Sequence, residues 1–312
     1  MPAPAADRPL VSIVIPCFNQ ARFLGDAIGS ALAQSYPCVE IVVVDDGSDD
    51  DRVREVAMDS GCRYVRQNNL GLSNARNRGF AESRGEYVVF LDADDRLLPS
   101  AVAIGAEELR RRPDCAFVSG DHRYINGDGA VLREWQRPPI ERDHYAELLA
   151  GNFIGNAAAV MFRRSPLVAA HGFDPSVPEC EDYDVYLRIA RRSPVYAHNR
   201  LVSEYRKYPG TMSDDPARML RGAIRVLRKQ RPHVSGNVRL REAYQRGLRF
   251  WRTYYGPDAC AASYAHRRTA GQRLRGWREL AVLAMYAPDV LFAARRSPSG
   301  TPEAPAEGEH AR

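Results

Sequence analysis

The 312-residue chain has no run of about 18 or more apolar residues, the length that a membrane-crossing helix requires. Its opening segment does not pair a basic stretch with an apolar one, so no secretory leader is expected. The six cysteines, Cys17, Cys38, Cys62, Cys115, Cys180 and Cys260, form no CxxC pair and no zinc-ligand spacing. Scattered in this way they point to reduced thiols in a cytoplasmic protein. Glycines are missing where a dinucleotide site needs them. After the first apolar run the chain reads Pro16-Cys-Phe-Asn-Gln20, not GxGxxG, which excludes a dinucleotide-binding dehydrogenase. The same segment lacks the Gly-rich, Arg/Lys-containing loop of a nucleotidyltransferase, and no internal repeat is present.

What is there is the composition of a folded globular protein, 45% hydrophobic and 27% charged. The net charge of +5 conceals an asymmetry. Between Arg218 and Arg296 eighteen Lys/Arg stand against four Asp/Glu, and most acids lie upstream. No recognised nucleic-acid module accompanies that charge, so nucleic acid is not the expected partner.

Periodicity organises the first two-thirds. Val11-Ser-Ile-Val-Ile15 and Glu40-Ile-Val-Val-Val44 read as buried strands. Between them Phe23/Leu24, Ala27/Ile28 and Ala31/Leu32 share one helix face. Ser48, with Asp51 three residues on, resembles a capping box. Further strands are expected at Cys62–Val65, Tyr87–Leu91, Ala116–Ser119 and Ala157–Phe162, with helices over Leu72–Ser83, Ser100–Arg112, 142–150 and Asp182–Arg191. Asn126-Gly-Asp-Gly129 reads as a hairpin turn. Strands alternating with helices predict an α/β fold, a Rossmann-like and mostly parallel sheet with helices on both faces, followed by a helical C-terminal extension. The expected division is a disordered N-terminus at 1–8, an α/β domain at 9–215, a basic helical extension at 216–296 and a disordered tail at 297–312.

Polar clusters fall at the carboxyl ends of the strands, where open α/β sheets bind ligands. They are Pro16-Cys-Phe-Asn19, Asp45-Asp46 and Asp92-Ala-Asp94-Asp95. Carboxylates crowded at adjacent strand ends repel one another unless a cation or donor groups lie between them. A divalent metal such as Mg²⁺, which takes few carboxylates and completes its shell on substrate phosphates, suits the pattern and implies a diphosphate substrate. Asp49, Asp50 and Asp51 read instead as caps of the helix that follows. Arg76, in a helix opened by Gly71, offers a planar fork to a diphosphate, and Arg78 reads as solvated.

Seven pieces of sequence carry a family resemblance. They are Val11–Asn19, Val43-Val-Asp-Asp-Gly-Ser48, Gln67–Gly71 with Ala75-Arg-Asn77, Gly85–Asp95, Gly172-Phe-Asp174, Glu181-Asp-Tyr-Asp184 with Leu187-Arg188, and Tyr205-Arg206 with Ser213. In this order and spacing residues 9–213 resemble a family 2 glycosyltransferase of the GT-A fold, which inverts the anomeric centre. The resemblance implies that Pro16 and Phe18 flank a nucleotide base, with backbone groups, Asn19 among the site residues, bonding it. Asp46 accepts from the base, and Arg76 approaches the diphosphate. Asp92 and Asp94 match the DxD motif, with Asp94 on the metal (Mg²⁺ or Mn²⁺) and Asp92 at the ribose or the metal shell. Asp182 is the implied general base, with Glu181 beside it to orient the acceptor. The donor is a nucleotide-diphosphate sugar, a UDP-sugar before a dTDP- or GDP-sugar, and the acceptor a glycan, lipid-linked or other hydroxyl in polysaccharide or glycoconjugate synthesis. A non-catalytic nucleotide-sugar-binding scaffold and a nucleotidyltransferase are the rival readings. One departure stands out: where relatives often carry a His three residues after the Tyr of this motif, this chain has Tyr208.

The C-terminal third mixes arginines with Phe250, Trp251, Tyr254 and Tyr255, and Leu280–Ala294 is apolar but for Pro288 and Asp289. Two readings follow. One is an interfacial helix on an anionic membrane surface, placing the chain peripherally at the inner face. The other is a helical cap packed within the protein.

Overall fold

The computed structural model describes residues 8–134, 140 and 142–296; the expected disordered ends, but for Arg8, lie outside them. The chain forms two compact units. One contains the residues up to Tyr145 with Phe153–Tyr208, the other Ala146–Asn152 with the residues from Pro209 onward.

The first unit opens on β1 (Val11–Cys17), buried along its whole length. Its β-branched residues fill both sides of the sheet, as a strand covered on two faces requires. α1 (Ala21–Leu32) turns Phe23, Leu24, Ala27, Ile28 and Ala31 inward. β2 (Val39–Asp45) runs parallel to β1, pairing Val11 with Val39 and Cys17 with Asp45. α2 (Arg52–Asp59) leads to β3 (Arg63–Arg66), parallel to β2. The capping box does not form: Asp51 makes no cap bond to α2, Asp50 Oδ1 instead accepts the N–H of its first residue, Arg52, at 3.0 Å, and the Ser48 hydroxyl accepts the Asn19 N–H at 2.9 Å. α3 (Leu72–Glu82) precedes β4 (Tyr87–Phe90), which joins β1 in parallel, Val14 opposite Phe90. α3 lies hard against the sheet because Gly79 has no side chain. A Cβ there would overlap Val14 and stand 2.9 Å from Val44 Cγ2.

Beyond β4 the sheet becomes mixed. The chain continues through β5 (Arg96–Leu97), α4 (Ala101–Arg111), β6 (Phe117–Ile125), β7 (Val131–Glu134), α5 (His144–Ala150), β8 (Val160–Arg163), α6 (Arg164–Ala169), α7 (Glu181–Ala190) and β9 (Tyr196–Arg206). The order is β3-β2-β1-β4-β8-β6-β9-β5, with β7 paired to β6. β8 is antiparallel to both β4 and β6, whereas β6 and β9 are parallel. The expected hairpin at Asn126–Gly129 joins β6 to β7, with Gly129 at φ +87° and the Asn126 side chain accepting the N–H groups of Asp128 and Ala130. β9 has no counterpart among the strands expected from sequence.

The second unit is helical: α8 (Pro216–Val234), α9 (Val238–Arg268), α10 (Arg273–Tyr286) and α11 (Pro288–Arg296). Asp215 caps α8 and Pro216 takes its first position; Asn237 caps α9. Ala146–Asn152, most of which is α5, belongs to this unit. Gly247 of α9 allows the approach, since a Cβ there would overlap the Leu149 carbonyl. Pro288 divides the apolar stretch as expected: α10 ends at Tyr286 and α11 begins at Pro288. No helix of the described residues is long and apolar enough to cross a membrane.

Candidate active site

The register of β1, β2 and β4 brings Cys17–Asn19, Asp45-Asp46 and the turn after Leu91 to one edge of the sheet. Asn19 adopts φ +54° and ties the first two segments together. Besides the bond to Ser48, its amide oxygen accepts the Asp49 N–H at 2.9 Å and its amide nitrogen donates to Asp49 Oδ2 at 3.2 Å. Pro16 is buried and Phe18 exposed. Asp46 is buried beneath the following loop. Its Oδ1 accepts from Gln67 Nε2 (2.7 Å) and the Leu70 N–H (2.9 Å), and its Oδ2 from the Gly71 N–H (2.9 Å). Asp46 thus shapes the loop leading into α3. Asp45, also buried, accepts from Tyr64, Arg66 and the Ser48 N–H.

Arg76 stands at the centre. It is 2% exposed; one terminal nitrogen meets Glu181 and the other Asp92 Oδ1 at 2.6 Å. Its guanidinium lies 5.2 Å from the Phe173 ring centroid. Asn77, one position on, clamps that ring's backbone, accepting the Phe173 N–H at 2.9 Å and donating to the Phe173 carbonyl at 2.8 Å. The Gly172-Phe173 turn is thereby fastened to α3, with Gly172 at φ +63°. Burial alone would lower the Arg76 pKa, but the charges of Asp92 and Glu181 outweigh it and raise it. Both arms of the fork that was expected to meet a diphosphate are engaged by carboxylates.

α7 supplies the other acids. Its N-cap, Cys180, is left-handed at φ +59°, which starts the helix abruptly and puts Glu181 and Asp182 in its first turn, where the dipole favours anions. Glu181 is buried and Asp182 partly open. Burial pushes Glu181 up to about 7, opposed by Arg76. It also raises Asp182, opposed by Arg76 and by the Tyr183 N–H that Asp182 accepts at 2.7 Å.

Asp94 faces a different set. Its Oδ2 accepts from the Tyr208 hydroxyl at 2.9 Å and from Gln20 Nε2 at 3.5 Å, and Tyr208 also donates to Gln20 Oε1 at 3.3 Å. Burial first, then the charge of Asp92, raises the Asp94 pKa. Burial and Asp94 likewise raise that of Tyr208, so its hydroxyl remains a donor. Asp95 is buried, accepting from the Arg206 N–H (2.9 Å) and Asn156 Nδ2 (2.8 Å). Arg206, 1% exposed, binds the Asp94 carbonyl (2.7 Å), the Gly127 carbonyl (2.8 Å) and Asp26 (2.7 Å), fixing the acidic turn to α1 and the hairpin. The sequence flagged Tyr208 as a departure and Arg206 as part of a motif, but Gln20 and Asn156 carried no signal beyond their positions.

Among the described residues no three His, Cys, Asp or Glu gather closely enough to hold a metal alone. The donor set nevertheless fits one. Asp94 is a partly exposed carboxylate whose ionised form is disfavoured by burial and by Asp92, and a cation would relieve that penalty. Mg²⁺ and Mn²⁺ sites of this kind use one or two carboxylates and finish on phosphates.

Comparison with known proteins adds a family to this geometry. The sequence pattern of glycosyl transferase family 2 matches residues 12–168. The chain is 32% identical over 197 residues to a chondroitin synthase of Escherichia coli, covering 62% of this chain and 28% of that protein. It is 28% identical over 190 residues to a hyaluronan synthase of Pasteurella multocida, covering 58% and 19%. The chain therefore spans less than a third of the length of these relatives. In structure it is similar to TarS (residues 1–349) of S. aureus solved with UDP-GlcNAc, TM-score 0.62 at 14% identity, covering 90% of this chain and 82% of that one. It is similar too to the mannosyltransferase PcManGT of Pyrobaculum calidifontis solved with GDP-Man and Mn²⁺, TM-score 0.59 at 19% identity, covering 92% and 88%. The shared architecture is the GT-A fold.

Proposed function

Because the chain belongs to glycosyl transferase family 2, we propose that it moves a sugar from a nucleotide-diphosphate donor to an acceptor hydroxyl with inversion at the anomeric carbon. The observation that carries this reading is the meeting of two acid pairs across one buried guanidinium: Asp92 of the strand-end pair Asp92/Asp94 and Glu181 of the helix-start pair Glu181/Asp182 both bond Arg76. Leaving-group stabilisation and proton removal are the two demands of the reaction, and the two pairs answer them.

Asp94, with Asp92 in its shell, would hold the divalent metal, which when bound neutralises the diphosphate of the leaving nucleotide. Asp182 takes the proton of the acceptor hydroxyl as its oxygen attacks the anomeric carbon and the bond to the β-phosphate breaks. Glu181 orients the acceptor, and its pairing with Arg76 holds the first turn of α7 in place. Arg76, with its fork engaged, acts on the diphosphate through its charge. Pro16, Phe18 and Asn19 flank the base, and Asp46 receives it through the loop it orders and the acceptor capacity left on Oδ2. UDP is the preferred nucleotide in this reading. The acceptor is a glycan, lipid-linked or other hydroxyl compound of polysaccharide or glycoconjugate synthesis, and the compartment is the cytoplasm, with the second unit directed to the membrane's inner face.

Calorimetry with UDP-, dTDP- and GDP-sugars, with and without Mn²⁺, tests the reading, coupled to slow donor hydrolysis without acceptor. The expected result is metal-dependent binding of a UDP-sugar that Asp94→Ala abolishes without unfolding the protein. Equal affinity with and without Mn²⁺ in the wild type would sink the metal role; binding without transfer or hydrolysis would leave a scaffold. Asp182→Asn, nearly isosteric but unable to take a proton, should lower turnover by about a hundredfold or more at unchanged donor affinity. If Glu181→Gln is the inactive variant instead, the roles of the two acids are exchanged.

A further inference from the structure

Among the described residues, the second unit presents a helix face with no partner. α10 is fixed on one side by close contacts with α9. Leu283 is fully buried, a Cβ on Gly276 would stand 2.6 Å from the Ser263 carbonyl oxygen, and Glu279 bonds His266 of α9 at 2.8 Å. These residues define its inner side. The opposite side carries Leu274 (64% exposed), Trp277 (57%) and Met285 (63%), with Ala281 and Ala284 between them also exposed. At 3.6 residues per turn these five fall in an arc of about 100°. Arg273 borders the arc on one edge and Arg278 on the other, both exposed. Arg267 of α9 lays its guanidinium 4.1 Å from the Trp277 ring centroid. On α11 Val290 faces α9, close to Gly256, while Phe292 is 61% exposed.

We infer that this face of α10 and α11 docks on an anionic phospholipid surface, with Leu274, Trp277, Met285 and Phe292 in the interface and the arginines at the headgroups. Apolar side chains of this size, aligned and rimmed by cations, mark an interaction surface. The charge selects the partner. Eighteen Lys/Arg against four Asp/Glu between Arg218 and Arg296 would set like charges opposite each other in a self-dimer, whereas anionic headgroups neutralise them. A nucleic acid would satisfy the arginines and leave the apolar arc in water. The arc begins at Leu274, upstream of the Leu280–Ala294 stretch that the sequence singles out, because Leu283 and Ala287 of that stretch are spent on the interior. The helices lie along the surface; none crosses it. The inference does not rest on the sugar-transfer reading, and a chain without activity would carry the same face.

Vesicles of phosphatidylcholine with phosphatidylglycerol, and of phosphatidylcholine alone, test it with the full chain. Co-sedimentation is expected only with the anionic vesicles, declining as salt rises. Arg273→Gln with Arg278→Gln should weaken it by on the order of tenfold or more, and Leu274→Ser with Trp277→Ser and Met285→Ser should abolish it. Brominated acyl chains should quench tryptophan emission in the wild type, and Trp277→Phe should remove that quenching. Mn²⁺-dependent UDP binding serves as a check that both surface variants remain folded, with circular dichroism as a second check should UDP not bind. A full-length chain that stays in the supernatant at low salt overturns the inference. So does binding that survives the triple serine substitution. A wild-type oligomer in sedimentation velocity that the same substitution reduces to monomers would overturn it in favour of an interface between copies.

Discussion

Arg76 is the residue on which the electrostatics of the site turn, and its removal acts in two directions. Glu181 would be left buried without its cation, and breaking a buried pair by deleting one partner destabilises by about 3–5 kcal/mol. Arg76→Gln should therefore lower the unfolding free energy by roughly that amount in urea melts. Arg76 also opposes the raised pKa of Asp182. A base works deprotonated, so activity falls as pH drops through its pKa, and the acid limb of kcat should lie above that of an ordinary aspartate. In Arg76→Gln that limb should move further up; an unmoved limb would remove Asp182 as the titrating base. Tyr208 makes a smaller and cleaner probe. Its hydroxyl favours ionised Asp94, so Tyr208→Phe should let Asp94 hold its proton to higher pH, and calorimetry should find Mn²⁺-supported UDP binding lost at a higher pH than in the wild type. The acids themselves were legible in the sequence, since they follow an apolar run or open a helical one. Their partners were not: Arg76 reaches Asp92 sixteen positions away and Glu181 a hundred and five positions away, and no local pattern records such a pairing.

The elements divide in the same way. β1, β2, β4 and the inward stripe of α1 are apolar in the rhythm of their own geometry, and their existence could be read directly. β9 could not. Tyr196-Ala-His-Asn-Arg-Leu-Val-Ser-Glu-Tyr-Arg206 alternates poorly, and two of its buried members are charged. Glu204 is neutralised by Arg96 at 2.7 Å and Arg123 at 2.5 Å, and Arg206 by Asp26 at 2.7 Å. A strand whose inward side chains are ions looks like surface until the counter-ions on other elements are known. α3 shows the converse, a polar helix held close by what it lacks. Gly79→Ala should improve helix propensity by about 1 kcal/mol, yet the added methyl meets branched side chains on two buried strands that cannot withdraw. Overpacking by roughly 1–3 kcal/mol should win, and the thermal midpoint should drop by about 3 °C. A midpoint unchanged or raised would mean that α3 can lift from the sheet, and Arg76 with it.

At the scale of the whole molecule the chain passes between its two units more than once. It leaves the α/β unit at Ala146, contributes Leu148 and Leu149, both fully buried, to the helical unit, and returns at Phe153. A chain ending at Tyr208 would keep those leucines and lose the helices that cover them. It should bind a hydrophobic dye and aggregate where the full chain does not, although every residue of the candidate site is retained. A soluble, dye-negative 1–208 fragment would show that α5 finds cover elsewhere. The same excursion has a consequence for biosynthesis. Leu149 leaves the ribosome roughly a hundred residues before Gly247, against which its carbonyl closes. At about 5–20 residues per second, two leucines in the middle of a half-finished domain stand uncovered for on the order of ten seconds, a window in which a nascent-chain chaperone has both the time and the target to bind.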